Sequence, residues 1–483
     1  MSSSKPTILS WIHIKTITHI FFPYLTSKEA TTLRLVSNMF KIEVAEYPWE
    51  DMETVIRGNI GSWRACFPYA KGANVGKRSG IGGWDNPNGR LISVVDADFV
   101  HFRGLRELTI NFNYDITDAA FENLRGIHTL NMRSCTQTTI TDAAFANLAG
   151  IKKLDMDGCP ISTILAAQNL GLPAEGEGIF MDRIVGSIAA WRAANPTALV
   201  ANIEARKDIT DADFVYFRGI RALNMSYCDQ NTITDAAFVN LVGIHTLEMT
   251  NCTQQTITDA AFANLVGIKN LVMKYCIQPT ITDAAFANLA GIHTLDISCC
   301  KQPTITSTAF ANLCGIHTLN ITGCMQITDE YFTYLAGIHT LNMKYCNQDT
   351  ITDAAFAHLA GIHTLNMSVC NQDTITDAAF AHLAGIHTLN MSSCNQNTIT
   401  DAAFAHLAGI HTLDMSYCYQ YSITDTAFTH LAGIHRLDMS LCNKYTINGT
   451  AFANLHGIHT LHMYLCQDNQ INKAKQEGLN VIM

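Results

Sequence analysis

The sequence predicts an α/β solenoid in which each turn supplies one short strand and one short helix. Three observations carry this: a triplet recurring at fixed spacing, apolar alternation before it, and an alanine-rich stretch after it. The triplet, Ile-Thr-Asp or a close variant, begins at 116 and 140 and resumes at 209, 233, 257, 281 and 305. It continues at 327, 351, 375, 399, 423, 447 and 471. Within each run the interval is 24 residues, shortened to 22 between 305 and 327. A constant period of about 20–29 residues marks a stacked repeat array, because one unit cannot bury its own apolar face and neighbours must cover it.

The stretch "GIHTLNMSVCNQDTITDAAFAHLA", residues 361–384, shows one unit. Ile362, Leu365, Met367 and Cys370 occupy positions 1, 4, 6 and 9 of the turn. Alternation at Leu365 and Met367 predicts a strand with one buried face. Thr376 or Asp377 is then placed to cap a short helix. Ala378, Ala379 and Ala381 favour that helix, Phe380 and Leu383 point inward, and Gly385 supplies a left-handed stop.

Residues 94 to 470 resemble the leucine-rich repeats of the cysteine-containing subtype, L-x-x-L-x-L-x-x-C-x-x-I-T-D. Fourteen strands are expected, beginning at Leu105, Ile127, Ile151, Ile220, Ile244, Ile268, Ile292, Ile316, Ile338, Ile362, Ile386, Ile410, Ile434 and Ile458. Position 9 is cysteine in thirteen of them and Asn113 in the first. The resemblance implies that this side chain turns inward and hydrogen-bonds the backbone leaving the strand. It also implies a concave sheet face that binds another protein. Near-identical repeats of this kind resemble arrays of large DNA viruses, which implies the cytoplasm of a host cell.

Cysteines from Cys135 to Cys466 at position 9 should form an internal column at the strand spacing of about 4.8 Å. A line is not a tetrahedron, so zinc is not expected, and no cofactor is. Cys66, Cys299 and Cys314 stand outside the column. His128, His245, His293, His317, His339, His363, His387, His411, His435 and His459 all occupy position 2. Position 2 lies about 23 Å of extended strand from position 9, so His363 and Cys370 cannot share an ion. The column reads as a repeated edge residue. Metal binding between repeats, or pH sensing by imidazoles that titrate near 6.5, are the alternatives. His358, His382, His406 and His430 belong to the outer helices.

Positions 3, 5, 7 and 8 should face a partner. Tyrosine is a frequent interface anchor, so Tyr227, Tyr275, Tyr345 and Tyr417, with Lys274 and Lys344, are the candidate contacts to an unidentified target protein. The alternative is that these polar residues only solvate the sheet.

Residues 24–49, "YLTSKEATTLRLVSNMFKIEVAEYPW", resemble the second half of an F-box through Leu25, Leu33, Leu35, Val36, Ser37, Phe40 and Trp49. Ile17, Ile20 and Phe21 supply an apolar face before it, while the family's Leu-Pro opening is absent around His13 and Ile14. The resemblance implies an F-box-like domain at 8–50 that docks on a Skp-family adaptor through Ile17, Leu25, Leu33, Leu35, Val36 and Phe40. The downstream repeats would then recruit the substrate of an SCF-type ubiquitin ligase. A helical cap over the end of the solenoid is the alternative.

Residues 51–93 form a junction. Its "GANVGKRS" fails as a phosphate-binding loop, because three residues separate Gly72 and Gly76 and Arg78 stands where Ser or Thr must hold magnesium. Ala70, Ala73 and Val75 match Ala198, Ala201 and Ile203 as degenerate first repeats, each following a Trp-Arg-Ala. Repeats are therefore expected at 94–172 and 204–472, a second junction at 173–203, and a C-terminal cap at 473–483. One continuous solenoid and two stacks joined through "LPAEGEG" both fit.

Net charge is −10, which offers no global reason for a nucleic-acid or anionic-membrane partner. No window holds eighteen uninterrupted apolar residues, so no membrane span is expected. The N-terminus, broken by His13, Lys15 and His19, does not read as a secretion signal. Sixteen cysteines then fit a reducing, cytoplasmic compartment. The acidic residues fall one per repeat on a rim, which offers no paired carboxylates and no enzyme.

Overall fold

A computed structural model describes residues 30–31, 38–50, 52, 55–56, 58–76, 94–176, 178–442 and 445–483. They belong to two compact units, Met1–Met181 and Asp182–Met483. Among the described residues, the first unit holds a five-stranded sheet from Gly72–Asn74 to Ala174–Glu175, and the second a thirteen-stranded sheet from Val200–Asn202 to Val481–Ile482. Neighbouring strands are parallel and follow chain order. Thr364, Leu365 and Asn366 pair with Thr388, Leu389 and Asn390 one repeat later. Each residue thus stacks on its own equivalents: the leucines and phenylalanines run as continuous buried columns, and methionine shares its column with isoleucines such as Ile297 and Ile321.

The two units open alike. Helices Ile60–Cys66 and Ile188–Ala194 carry the shared Trp-Arg-Ala. Arg64 donates to the carbonyls of Ala70 (3.1 Å) and Arg103 (2.7 Å). Arg192 donates to those of Ala198 (2.9 Å) and Arg218 (2.6 Å). Each helix precedes the first strand of its sheet, Gly72–Asn74 or Val200–Asn202, so the alanine-substituted repeats lay the first rung. The 3-10 helices Asp96–Phe102 and Asp211–Phe217 follow, each burying two phenylalanines edge to face. Both units also close alike. Nine-residue helices, Ile161–Asn169 and Asp468–Gln476, are followed by two-residue strands, Ala174–Glu175 and Val481–Ile482.

Within a repeat, threonine caps the helix. Thr376 has extended backbone and its hydroxyl accepts from the Ala378 N–H at 3.2 Å. The aspartate that follows it, the other cap candidate, reaches into the next repeat instead. Thr376 donates its N–H to Asp353 Oδ1 and its hydroxyl to Asp353 Oδ2, both at 2.7 Å. The same pair of bonds recurs between Asp377 and Thr400 and between Asp401 and Thr424, at 2.6–2.7 Å. Each carboxylate therefore orients the hydroxyl that caps the next helix. Where Ser307 replaces the aspartate, Thr328 makes no side-chain cap bond. That joint is the 22-residue repeat, and there the buried Tyr331 hydroxyl donates to the Ile305 carbonyl at 3.0 Å across the gap. Burial pushes the Tyr331 phenol up to about 12.

In the fourteen repeats from Leu105 to Ile458 the chain leaves the strand through a left-handed residue at position 8, among them Val369 (φ 61°), Asn251 (φ 56°) and Gly323 (φ 66°). A β-branched residue is strained there, whereas asparagine tolerates this region. Val369→Asn is expected to raise stability by about 1 kcal/mol, measured as a higher urea midpoint with an unchanged slope. A lower midpoint would mean that the valine's packing outweighs its backbone strain.

Candidate interaction surface

Tyr227, Tyr275, Tyr345 and Tyr417 all occupy position 8, with φ between 55° and 60°. The left-handed turn lifts each ring out of the sheet, and all four are exposed. They do not meet one another, because one to two other repeats separate each from the next. The two lysines are engaged within the chain. Lys274 Nζ lies 3.1 Å from Oδ2 of the buried Asp296, and Lys344 Nζ lies 5.0 Å from the centre of the Tyr345 ring. Tyr275 bonds the Cys299 side chain, which holds its phenol above the usual range.

Sequence reasoning that weighed only the sheet positions missed the residues just beyond the strand. In "SYCYQYS", Tyr417, Tyr419 and Tyr421 alternate outward around the buried Cys418 and Gln420. Tyr417 and Tyr419 meet edge to face at 6.4 Å, and Tyr421 stacks on Tyr445 of the next repeat at 6.4 Å and 20°. Tyr464 and Leu465 are also exposed, as are Ile277 and Met325 earlier in the array. The signal was present as alternation continued past position 9.

The N-terminal candidates Ile17, Leu25, Leu33, Leu35 and Val36 lie outside the described residues. Phe40 falls within the helix Asn38–Glu46, and its side chain is likewise not described. Trp49 is buried in the first unit. Its indole N–H donates to the Val44 carbonyl at 2.7 Å, its ring packs edge-on against Tyr47 and Phe67, and its carbonyl accepts from Lys71 and Gly72 at the first strand.

The cysteine column is internal. Each thiol donates to the strand-end carbonyl of the preceding repeat, as Cys370 does to Met343 at 3.2 Å and Cys394 to Met367 at 3.1 Å. Asn113 bonds the Ile110 and Val75 carbonyls in their place. Burial pushes the Cys394 thiol up to about 12, so a thiolate is scarce and reactivity low. A thiol reagent is expected to modify exposed Cys314 first, then half-buried Cys66, Cys299 and Cys466. The buried column should react only on unfolding, and fast modification of Cys394 in the native chain would contradict this placement. A second internal column, unread in the sequence, is formed by glutamine two residues after the cysteine. Gln254 and Gln372 donate to the carbonyls of Cys228 and Cys346.

At position 2 the imidazoles from His293 to His459 stack ring on ring, with centroids 4.4–4.8 Å apart and planes within 9–14°. From His317 to His411 each Nδ1 sits 3.1 Å from the following threonine hydroxyl. Among the described residues, no group of three or more His, Cys, Asp or Glu is placed to hold a metal ion. Among them too, no helix is long and apolar enough to cross a membrane.

Strand, capped short helix and inward cysteine, repeated in register, define a leucine-rich-repeat solenoid. The chain belongs to the family described as BspA type Leucine rich repeat region, six copies of which match residues 88–165, 207–339 and 325–459. The cysteine-containing subtype is a finer assignment than this match makes. A comparison with curated proteins found no match. Among solved structures, the chain is similar to TLR13 in its complex with ssRNA13 (16% identity, TM-score 0.43), over 87% of this chain and 63% of that one. It is similar to an internalin, InlF, from Listeria monocytogenes (15%, TM-score 0.41), over 78% and 91% of the two chains. It is also similar to the Rad7 and Elc1 complex of yeast (14%, TM-score 0.39), over 58% and 80%.

Proposed function

We infer that this chain is a protein–protein interaction scaffold that engages a target protein through the exposed surface at the ends of its strands. The observation that carries this is the aromatic cluster of Tyr417, Tyr419, Tyr421 and Tyr445, exposed on a rigid, in-register array. Tyrosines held by backbone geometry offer large contact area at small entropic cost, which suits interface anchors. The finer reading is a substrate-recognition subunit of an SCF-type ubiquitin ligase, acting in the cytoplasm, with residues 8–50 on a Skp-family adaptor. Its support is the F-box resemblance of residues 24–49, which precede the repeats in the chain. The burial of Trp49 in the first unit favours the competing view that this segment only caps the solenoid.

The test is a pull-down of purified Skp-family adaptor by the full chain and by a chain lacking residues 1–50. Capture lost on deletion supports the ligase reading; no capture by the folded full chain leaves a scaffold without a ubiquitin link. A Tyr417→Ser, Tyr419→Ser, Tyr421→Ser variant is expected to lose target binding at least about tenfold at unchanged stability. Unchanged binding would move the contact surface elsewhere.

A further inference from the structure

Position 2 is basic in all fourteen repeats: Arg106, His128, Lys152, Arg221, His245, Lys269, and then histidine from His293 to His459. Where histidine is replaced, arginine or lysine stands there. A residue copied passively with its unit drifts, as position 7 does through Ser226, Thr250, Lys274 and Tyr464. Retained basicity at a surface position therefore points to charge as the selected property.

In the second unit the eight stacked rings make that charge conditional. Imidazole as a group is neutral above a pH of about 6.5 and cationic below it. Cations on neighbouring rings of this stack would lie 4.4–4.8 Å apart, well inside a screening length of about 8–10 Å. Neighbouring imidazoliums repel, so the column charges fully only when an anion lies along it. Outside the stack, burial first and then the charges of Arg221, Lys269 and His293 hold His245 below its usual range.

Other charged groups frame the column. On the same strands, three positions on, stand Asp296, Asp414 and Asp438. Asp296 is paired with Lys274, and the other two accept from Ser416 and Ser440 N–H groups. Arg436 stands exposed beside His435. At one end the Lys269 ammonium donates to the Gly291 carbonyl at 3.1 Å, and at the other Glu477 lies between His456 and Lys473. The histidines His358, His382, His406 and His430 belong to the helical segments of the same repeats, outside position 2.

We propose that the histidine column of the second unit is an acid-gated binding stripe for a linear phosphate chain. Its uniformity selects the ligand class. Identical groups at one spacing, over seven steps of about 4.8 Å, match a polymer that repeats one charge along its length. A folded protein surface would need contacts that vary from repeat to repeat.

The test uses the full chain and fluorescently labelled inorganic polyphosphate, with anisotropy read at about pH 7.5 and about pH 5.5 in constant salt. Binding should tighten at least about tenfold at the lower pH. Calorimetry in two buffers of different ionisation enthalpy should show net proton uptake on binding. The variant His317→Gln, His363→Gln, His411→Gln should lose the acid gain. The variant with Gln at 358, 382, 406 and 430 should keep it, with both shown to be folded by circular dichroism. Single-stranded DNA in a parallel arm decides whether phosphodiester chains are taken as well, and either phosphate polymer binding in this way supports the proposal. Equal affinity at the two pH values, no proton uptake by the unaltered chain, or equal loss in both variants would each overturn it.

Discussion

Phe380→Ala is expected to destabilise the second unit by about 3–5 kcal/mol. Phe380 lies in the helix Asp377–Ala381, fully buried within one of the continuous columns of phenylalanines in the core. In a stack where each repeat touches only its neighbours, stability is the sum of unit and interface terms. Truncation in one repeat opens a cavity shared with the repeats before and after it. The flanking backbones are held in register by strand pairs on both sides, so the walls cannot collapse into the space. Urea unfolding followed by circular dichroism should show the loss, and a split transition if the stack uncouples there. Ala381→Ser, exposed on the same helix, should stay within about 0.5 kcal/mol. A loss below about 1 kcal/mol for Phe380→Ala would mean that the array relaxes around the missing ring.

Asp353→Ala is the second large effect, expected at roughly 2–3 kcal/mol. The substitution removes both acceptors of the Thr376 N–H and hydroxyl, and with them the link between successive helix caps. Hydrogen bonds to a charged acceptor contribute about 1.5–3 kcal/mol each when buried, and partial exposure of this pair reduces the sum. Asp353→Asn should recover part of the loss, because one carbonyl oxygen still accepts while the amide opposes the second donor. Native-state hydrogen exchange reads the effect locally. The Thr376 and Ala378 amides should lose protection in Asp353→Ala, while those of Thr424 and Thr426 keep theirs. Uniform loss along the array would make the ladder a global, not a local, device.

The joint at Ser307 shows how much of this was legible in the chain. The missing aspartate and the two-residue deletion were visible as departures from the period, but the compensation by Tyr331 was not. The ring sits in the helix after the gap and its partner carbonyl is 26 residues away, so no local pattern joins them. The choice between Thr376 and Asp377 as the cap was open for the same reason. Both residue types cap helices, and only the neighbouring repeat assigns one to its own helix and the other to the next. The aromatic cluster was partly legible: position 8 stood out, while Tyr419, Tyr421 and Tyr445 lie past the strand where a sheet-based reading stopped.

While the inward cysteine column was implied by the resemblance to cysteine-type repeats, the sequence by itself determined the period, the strand and helix of each turn and the duplicated opening at Trp63 and Trp191. These follow from alternation, cap chemistry and burial within a window of about 24 residues, where one repeat carries the whole signal. Tertiary structure alone decided the grouping of the described strands into a five-stranded and a thirteen-stranded sheet, the aspartate ladder and the stacking of the histidine rings. Each is a relation between equivalent or neighbouring repeats. It exists only once parallel pairing sets residues some 22–27 positions apart in contact, and that distance lies outside any local pattern of side chains.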